Sequence, residues 1–361
     1  MDTEVTKDVE RRRPPANRRR RRKKKKKKKL TFLSIIGRIG ALVGTTLLGA
    51  LLLIIVVLFV VMRGPSPDAA VLFARSANET SAMKWVPRLY ISKAAYDEIL
   101  NPTAVEDGFK ELPPAPVSVA ANDTEVSEEE MEALTIVELK GATYKGILMI
   151  VRDPARVKIG AIDTFGGVGI PLVDYLTKYN AIACTNAGGF EDVGGTGKGG
   201  TPDGMVIQDG KLVFGNAGQT YGGVVGFDAD HVLHVGRMTP NEALAMGIVN
   251  GTSFSNGPIL IKDGVRQTGF SSGINPRTCI GQTADGSILL VAVEGRMADS
   301  IGATYSDLAD IMEEYGAINA SNLDGGSSSG IYYEGERLTR SSSVIGDRPL
   351  PTAVVVGYSA Y

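Results

Sequence analysis

Thiols, imidazoles and indoles are scarce in this chain of 361 residues, which has 2 Cys, 2 His and 1 Trp. Cys184 and Cys279 offer no thiolate-metal spacing, and each sits inside an apolar, strand-like run. Both read as free, buried small side chains, although an extracytoplasmic setting would permit a disulfide. His231 and His234 fall in a run that reads as the strand His231–Val235, where a separation of three puts them on opposite faces. They make a poor metal pair, and neither stands beside a nucleophile motif, so a Ser-His-Asp triad has little support. Chemistry is left to carboxylates, arginines, hydroxyls, amides and the backbone.

Charge is also missing, from residues 39–62, a stretch of 24 residues without an ionisable side chain. At about 1.5 Å per helical residue it reaches roughly 36 Å, enough for a hydrocarbon core of about 30 Å with some tilt. It is longer than a signal-peptide core, and Met62-Arg63-Gly64-Pro65 is a poor cleavage site, so a retained signal-anchor is expected.

The formal net charge of -1 hides a segregation. Residues 1–38 carry 17 Lys/Arg against 4 Asp/Glu, and the rest carry 22 against 36. A basic run before the span and little after it predicts a cytoplasmic N-terminus and an extracytoplasmic remainder. The same run reads as a topology signal and a contact for anionic lipid, not as a nucleic-acid site.

The expected organisation is a basic cytoplasmic tail (1–38), a transmembrane helix (39–62), a stalk with short helices (63–135) and one large domain (136–361). Within the stalk, a helical pattern runs from Ala69 to Met83, and Trp85 to Leu100 suits a small helix on the membrane or the domain. Residues 113–132 read as an extended acidic linker.

From about Thr135 the composition changes, and 38 of the 44 glycines lie beyond it without a collagen-like period. They punctuate short β-rich runs. Asp209-Gly210, Asp263-Gly264 and Asp285-Gly286 each sit between apolar flanks and predict hairpins. Helices are expected over Ile170–Tyr179 and Ser306–Tyr315, the second with Thr304 as N-cap and Gly316 as its stop. This mixture predicts an α+β fold: a single β-rich domain with several hairpins and a few packed helices, not a doubly wound parallel sheet.

Four glycine-containing polar motifs follow. Asn186-Ala187-Gly188-Gly189-Phe190 ends a strand and leads through Gly194–Gly200 to Asp203; such a loop lets backbone N–H groups approach an oxyanion, or is simply a long surface loop. Ser255-Asn256-Gly257-Pro258 opens a hairpin, with Asn256 a turn residue or a ligand amide. Pro276-Arg277-Thr278 and Glu294-Gly295-Arg296 end two paired strands, and arginine forks match phosphate oxygens. The run Asn322-Leu323-Asp324-Gly325-Gly326-Ser327-Ser328 is the most specific. Asp324 with Glu294 offers two carboxylates, the minimum set for cleaving a glycosidic bond.

Taken in order, these motifs resemble the phosphodiester glycosidase domain, found in N-acetylglucosamine-1-phosphodiester α-N-acetylglucosaminidase and in bacterial envelope proteins labelled as exopolysaccharide-related. The resemblance covers roughly Thr135 to Tyr361 and implies hydrolysis of a sugar-1-phosphodiester. It implies Asp324, Glu294 and Arg277 as catalytic groups, with Glu294 standing where the family often has Asp. Arg277 and Arg296 would hold the phosphate, and Asn186 and Asn256 the sugar hydroxyls. Gly188, Gly189, Asp203, Gly325, Gly326 and Ser328 complete the substrate-binding set. No cofactor is expected; Asp203, Glu294 and Asp324 are the carboxylates open to Ca²⁺, without EF-hand spacing to support it. The expected substrate is a phosphorylated glycan of the cell envelope. The competing expectation is a non-catalytic protein that holds such a polymer during exopolysaccharide export.

Overall fold

A computed structural model describes residues 32–80, 83–101, 134–192, 197–255, 257–343 and 346–361. The tail 1–31 and linker 102–133 lie outside these residues. The chain divides into two units, 1–57 and 58–361. Helix α1 (Phe32–Arg63) fills the described part of the first and ends in the second. It is the one described helix long and apolar enough to cross a membrane, over Ile35–Arg63.

After α1 come helix α2 (Pro67–Asn78), capped by the Ser66 hydroxyl, and helix α3 (Lys93–Leu100), capped by Ser92. α2 is shorter than its sequence pattern. Met62, Ala74 and Tyr96 form a small core of their own, which ties the last turn of α1 to both helices. Ser76 and Glu79 then reach the main domain, where the Ser76 hydroxyl accepts from the Ile274 amide and Glu79 Oε1 from the Gly273 amide.

The main domain is α+β. Its strands form antiparallel sheets of seven, five, five and two strands. In the largest, Ile288–Val293 pairs with both Lys145–Val151 and Arg277–Thr283, and Ala317–Asn322 lies beyond Arg277–Thr283. Strand Ile288–Val293 is buried along its whole length, because both faces are covered. One face packs through Ile280, Leu290 and Ala292 against Ala183, Val354, Val225 and Phe227 of the two five-stranded sheets. The other packs through Cys279, Leu289 and Val291 against the helix Tyr305–Glu314, whose Leu308, Ile311 and Met312 face inward.

All three Asp-Gly hairpins form. Asp209 and Asp263 adopt φ 50° and 51° ahead of their glycines, the left-handed pair that a tight hairpin turn needs. The expected Thr304 cap is present as a full capping box with Asp307.

Two expectations differ. Ile170–Pro171 is a strand paired with Pro349–Leu350, and only Asp174–Lys178 is helical. Proline biases the residue before it toward extended geometry, which delays the helix. The edge strand that pairs with Tyr221–Phe227 starts at Leu233, not His231. His231 sits in a turn at φ 61°, built on the Asp228 carboxylate, which also meets His234 Nε2 at 2.8 Å. Both cysteines are buried and free.

Candidate active site

The chain leaves strand Ala317–Asn322 at Leu323, whose amide donates to the Thr278 carbonyl at 2.8 Å. The next amide, of Asp324, donates to the Ala187 carbonyl at 2.9 Å. The Asn186 amide group donates to the Asp324 carbonyl at 2.6 Å, while its oxygen accepts from Thr278 Oγ1 at 2.8 Å and from the Gly330 amide at 3.2 Å. Asp324 is thus clamped at the seam between two sheets, by backbone and by a wholly buried asparagine. Its carboxylate turns into a cavity of about 840 Å³.

That carboxylate accepts from the Gly325 amide at 2.8 Å and from Ser328. Burial nevertheless dominates, and with help from the nearby Asp203 charge it pushes the Asp324 carboxyl up to about 7. Asp203 lies in the same cavity and is also raised, chiefly by burial, against the pull of hydrogen bonds from Ser255. Its Oδ1 has no hydrogen-bond partner among the described residues. Gly189 makes room for it, since a Cβ there would come within 2.7 Å of Asp203 Oδ2 and of the Phe254 ring.

Opposite stand the arginines. Arg277, 3% exposed, lies with its guanidinium 4.0 Å over the Tyr305 ring and donates to the Ala303 and Gly273 carbonyls. Its Nη2 also lies 2.6 Å from Glu79 Oε2, which accepts from Asn275 as well. Arg296 holds a left-handed φ of 60° and donates to Asn275 and Thr80. Burial and the neighbouring Arg277 pull its guanidinium below its ordinary value, while Glu79 and Asp324 oppose that pull. Gly326 takes φ 64° beside it, where a Cβ would crowd Arg296 Nη2 at 3.3 Å. A third arginine, Arg348, grips Asp192 with both Nη atoms, at 2.7 and 2.9 Å, and lies 4.8 Å over Phe190. All three arginines line the cavity.

Of the residues named from sequence, Asp203, Arg277, Arg296, Asp324, Gly325, Gly326 and Ser328 line this cavity. Asn186 and Gly188 lie beneath it as braces, the Gly188 amide donating to Thr352 Oγ1. Gly189 supports Asp203 from behind. Asn256 lies outside the described residues. The structure does not bring Glu294 to the cavity. Its carboxylate accepts from the Arg340 amide at 2.8 Å and from Arg340 Nε and Nη2 at 2.9 and 2.5 Å. Asp203, Glu294 and Asp324 therefore do not gather as a calcium set. Glu79, Tyr305, Asn275, Asp192 and Arg348 were not legible as site residues; only the apolar spacing around Tyr305 marked its helix.

Residues 179–357 match the model of the phosphodiester glycosidase family. The SPbeta prophage-derived uncharacterized protein YomE of Bacillus subtilis (strain 168) is 25% identical over 308 residues, 81% of this chain but 45% of that protein. The chain therefore spans under half the length of this curated relative. Among solved structures, the catalytic domain of zebrafish N-acetylglucosamine-1-phosphodiester alpha-N-acetylglucosaminidase, described as auto-inhibited by its pro-peptide, aligns with a TM-score of 0.50 at 22% identity. That alignment covers 62% of this chain and 82% of the zebrafish one, a likeness of fold.

Proposed function

The chain belongs, through residues 179–357, to the phosphodiester glycosidase family, and on that premise we propose that it hydrolyses sugar-1-phosphodiesters in the cavity lined by Asp324, Asp203, Arg277 and Arg296. One observation carries the reading: a carboxyl raised to about 7 shares a cavity with the guanidinium groups of Arg277 and Arg296. An acid with that pKa is divided between its two forms near neutral pH, the condition for giving and taking a proton in one cycle. Arg277 and Arg296 hold the non-bridging oxygens of the phosphodiester and stabilise the charge that builds on the departing phosphate. A phosphate leaves readily, so this electrostatic work outweighs protonation of the leaving oxygen. Asp203 supplies the second carboxylate facing the sugar, and Phe190 and Phe254 add apolar lining beside it.

In this arrangement Glu79 already occupies Arg277. The zebrafish relative's catalytic domain is described as auto-inhibited by its pro-peptide. We assign Glu79, at the C-terminal end of α2, a comparable resting role here: its carboxylate stands in for the phosphate and must yield before substrate binds. The exchange trades one negative charge for another.

The chain is anchored by α1, with its N-terminus cytoplasmic and its catalytic domain outside, and it acts on phosphate-linked glycans of the envelope or exopolysaccharide. The deciding assay is turnover of a panel of sugar-1-phosphodiesters by the purified full chain, with Asp324→Asn beside it. Turnover by the wild type alone supports hydrolysis. Tight binding without turnover over the whole panel refutes it in favour of a polymer-holding protein.

A further inference from the structure

Outside α1, most exposed large apolar side chains among the described residues stand singly along the chain, and three of them fall close together. Met83, Trp85 and Leu89 are 43%, 59% and 67% exposed within seven residues of one another. The segment that carries them is not loose. The Met83 and Val86 amides close successive turns onto the carbonyls of Thr80 and Met83, and Leu89 and Tyr90 close a further turn. Val86 and Pro87 are buried, and the Tyr96 hydroxyl donates to the Lys84 carbonyl at 3.1 Å. A built platform thus holds three large apolar groups out in solvent, at a standing cost of roughly 25 cal/mol for each Å² left exposed.

The platform is joined to the end of the apolar helix. Arg63, the last residue of α1, donates from Nε to the Tyr90 carbonyl at 2.6 Å, and Met62 is buried with Ala74 and Tyr96. Exposed Lys84 and Arg88 flank the apolar side chains, with Arg88 stacked 5.0 Å over Tyr96. A tryptophan among leucine and methionine, edged by basic groups and tied to the last turn of an apolar helix, has the composition of a membrane–water interface segment.

We propose that residues 83–90 form a membrane-docking surface, with Met83, Trp85 and Leu89 seated in the headgroup layer of the bilayer that α1 crosses. The proposal rests on the spanning reading of α1 and goes beyond it. A helix alone would leave the domain tethered but free; this surface fixes it. The continuity of lipid-facing helix and platform names the occupant: phospholipid, in place of a second copy of the chain or another protein. The consequence reaches the catalytic cavity, because the same small core that carries the platform carries α2 and Glu79. The bilayer then holds the segment that covers Arg277.

Trp85 is the sole tryptophan of the chain and reports on the surface directly. The full chain is placed one copy per phosphatidylcholine nanodisc, and its fluorescence is read with phospholipids brominated at shallow acyl positions and with aqueous acrylamide. Docking predicts a blue-shifted emission, quenching by shallow bromines and loss of acrylamide quenching. Replacing Met83 and Leu89 together by serine restores acrylamide quenching while the chain stays in the disc. Trp85 emission indifferent to brominated lipid, in a chain that stays in the disc, overturns the docking surface and leaves the spanning helix standing. A change seen only in discs with two copies assigns the surface to a second chain and likewise overturns it. Failure of the chain to remain in discs overturns the spanning reading, and this one with it.

Discussion

Replacing Asp324 by asparagine should do two opposite things, and the second is specific to the environment described above. Activity falls by about 10²–10⁴, the usual worth of a general acid or base. Stability rises, but only at high pH. The Asp324 carboxyl is raised from 3.8 to about 7, a shift of roughly three units at about 1.4 kcal/mol each, or about 4 kcal/mol as an upper bound. Asp324 keeps part of its surface open to the cavity, so about 2 kcal/mol is the better expectation after solvent screening. The sign follows from linkage. Between about pH 4 and pH 7 the native state binds this proton and the unfolded state has released it, so stability falls as pH rises through that window. Asparagine keeps the shape of the protonated carboxyl and removes the loss. Melting curves for the two proteins should therefore nearly coincide near pH 4 and separate above about pH 7, the variant melting roughly 4–8 °C higher for a domain of this size. Thermal unfolding of the full chain across this range checks it. Parallel pH–stability curves, or a wild type that is the more stable protein at alkaline pH, would refute a buried, strained carboxyl.

Other outcomes follow from the same geometry. Glu79→Gln strands the buried Arg277 guanidinium, so the variant should lose about 3 kcal/mol in phosphate-free buffer and recover more stability than wild type on adding inorganic phosphate; equal gains in melting temperature would sink the resting role of Glu79. Glu294→Gln should keep kcat/KM within about threefold of wild type, because this carboxylate serves Arg340 and not the cavity, whereas a hundredfold loss in steady-state kinetics would restore it to the mechanism. Gly189→Ala should cost about 1–3 kcal/mol by overpacking against Asp203 and Phe254 and lower kcat more than tenfold, measured by calorimetry and kinetics on one preparation.

The hairpins, the capped helix and the Asp324 motif were legible because each is written in adjacent residues. An Asp-Gly pair between apolar flanks, or a Thr three places before an Asp, states its geometry locally. What was not legible depends on partners distant in sequence. Glu294 and Arg296 are two apart on one strand end, yet one turns to Arg340 and the other to Asn275 and Thr80. Nothing near them in sequence says which. Asn186 looks like a ligand amide, but the fold spends its oxygen on Thr278 and Gly330. Glu79 sits in a segment that reads as stalk, and it becomes a site residue only because α2 packs across Gly273 and Asn275.

The charge balance gives the cavity a selectivity that neither the arginines nor the carboxylates would have alone. Residues 39–361 carry 22 Lys/Arg against 36 Asp/Glu, so an anionic glycan is repelled in general and must be drawn by a local field. Arg277, Arg296 and Arg348 supply it, but burial and the neighbouring Arg277 charge loosen the hold of Arg296 on its proton, and the pair is not left bare. Glu79 provides one compensating charge. A phosphodiester also carries one, so its entry leaves the electrostatic sum where Glu79 left it. A phosphomonoester near neutral pH carries about one and a half to two charges, and the excess falls beside Asp203 and beside Asp324, which burial and then the Asp203 charge already raise. The cavity therefore favours a diester over the monoester that its cleavage releases. Product inhibition by the phosphomonoester should weaken as pH rises through the Asp324 transition near 7, because ionising Asp324 adds a further repelling charge. Inhibition that strengthens with pH instead would show that the arginines, and not the carboxylates, dominate what the cavity retains.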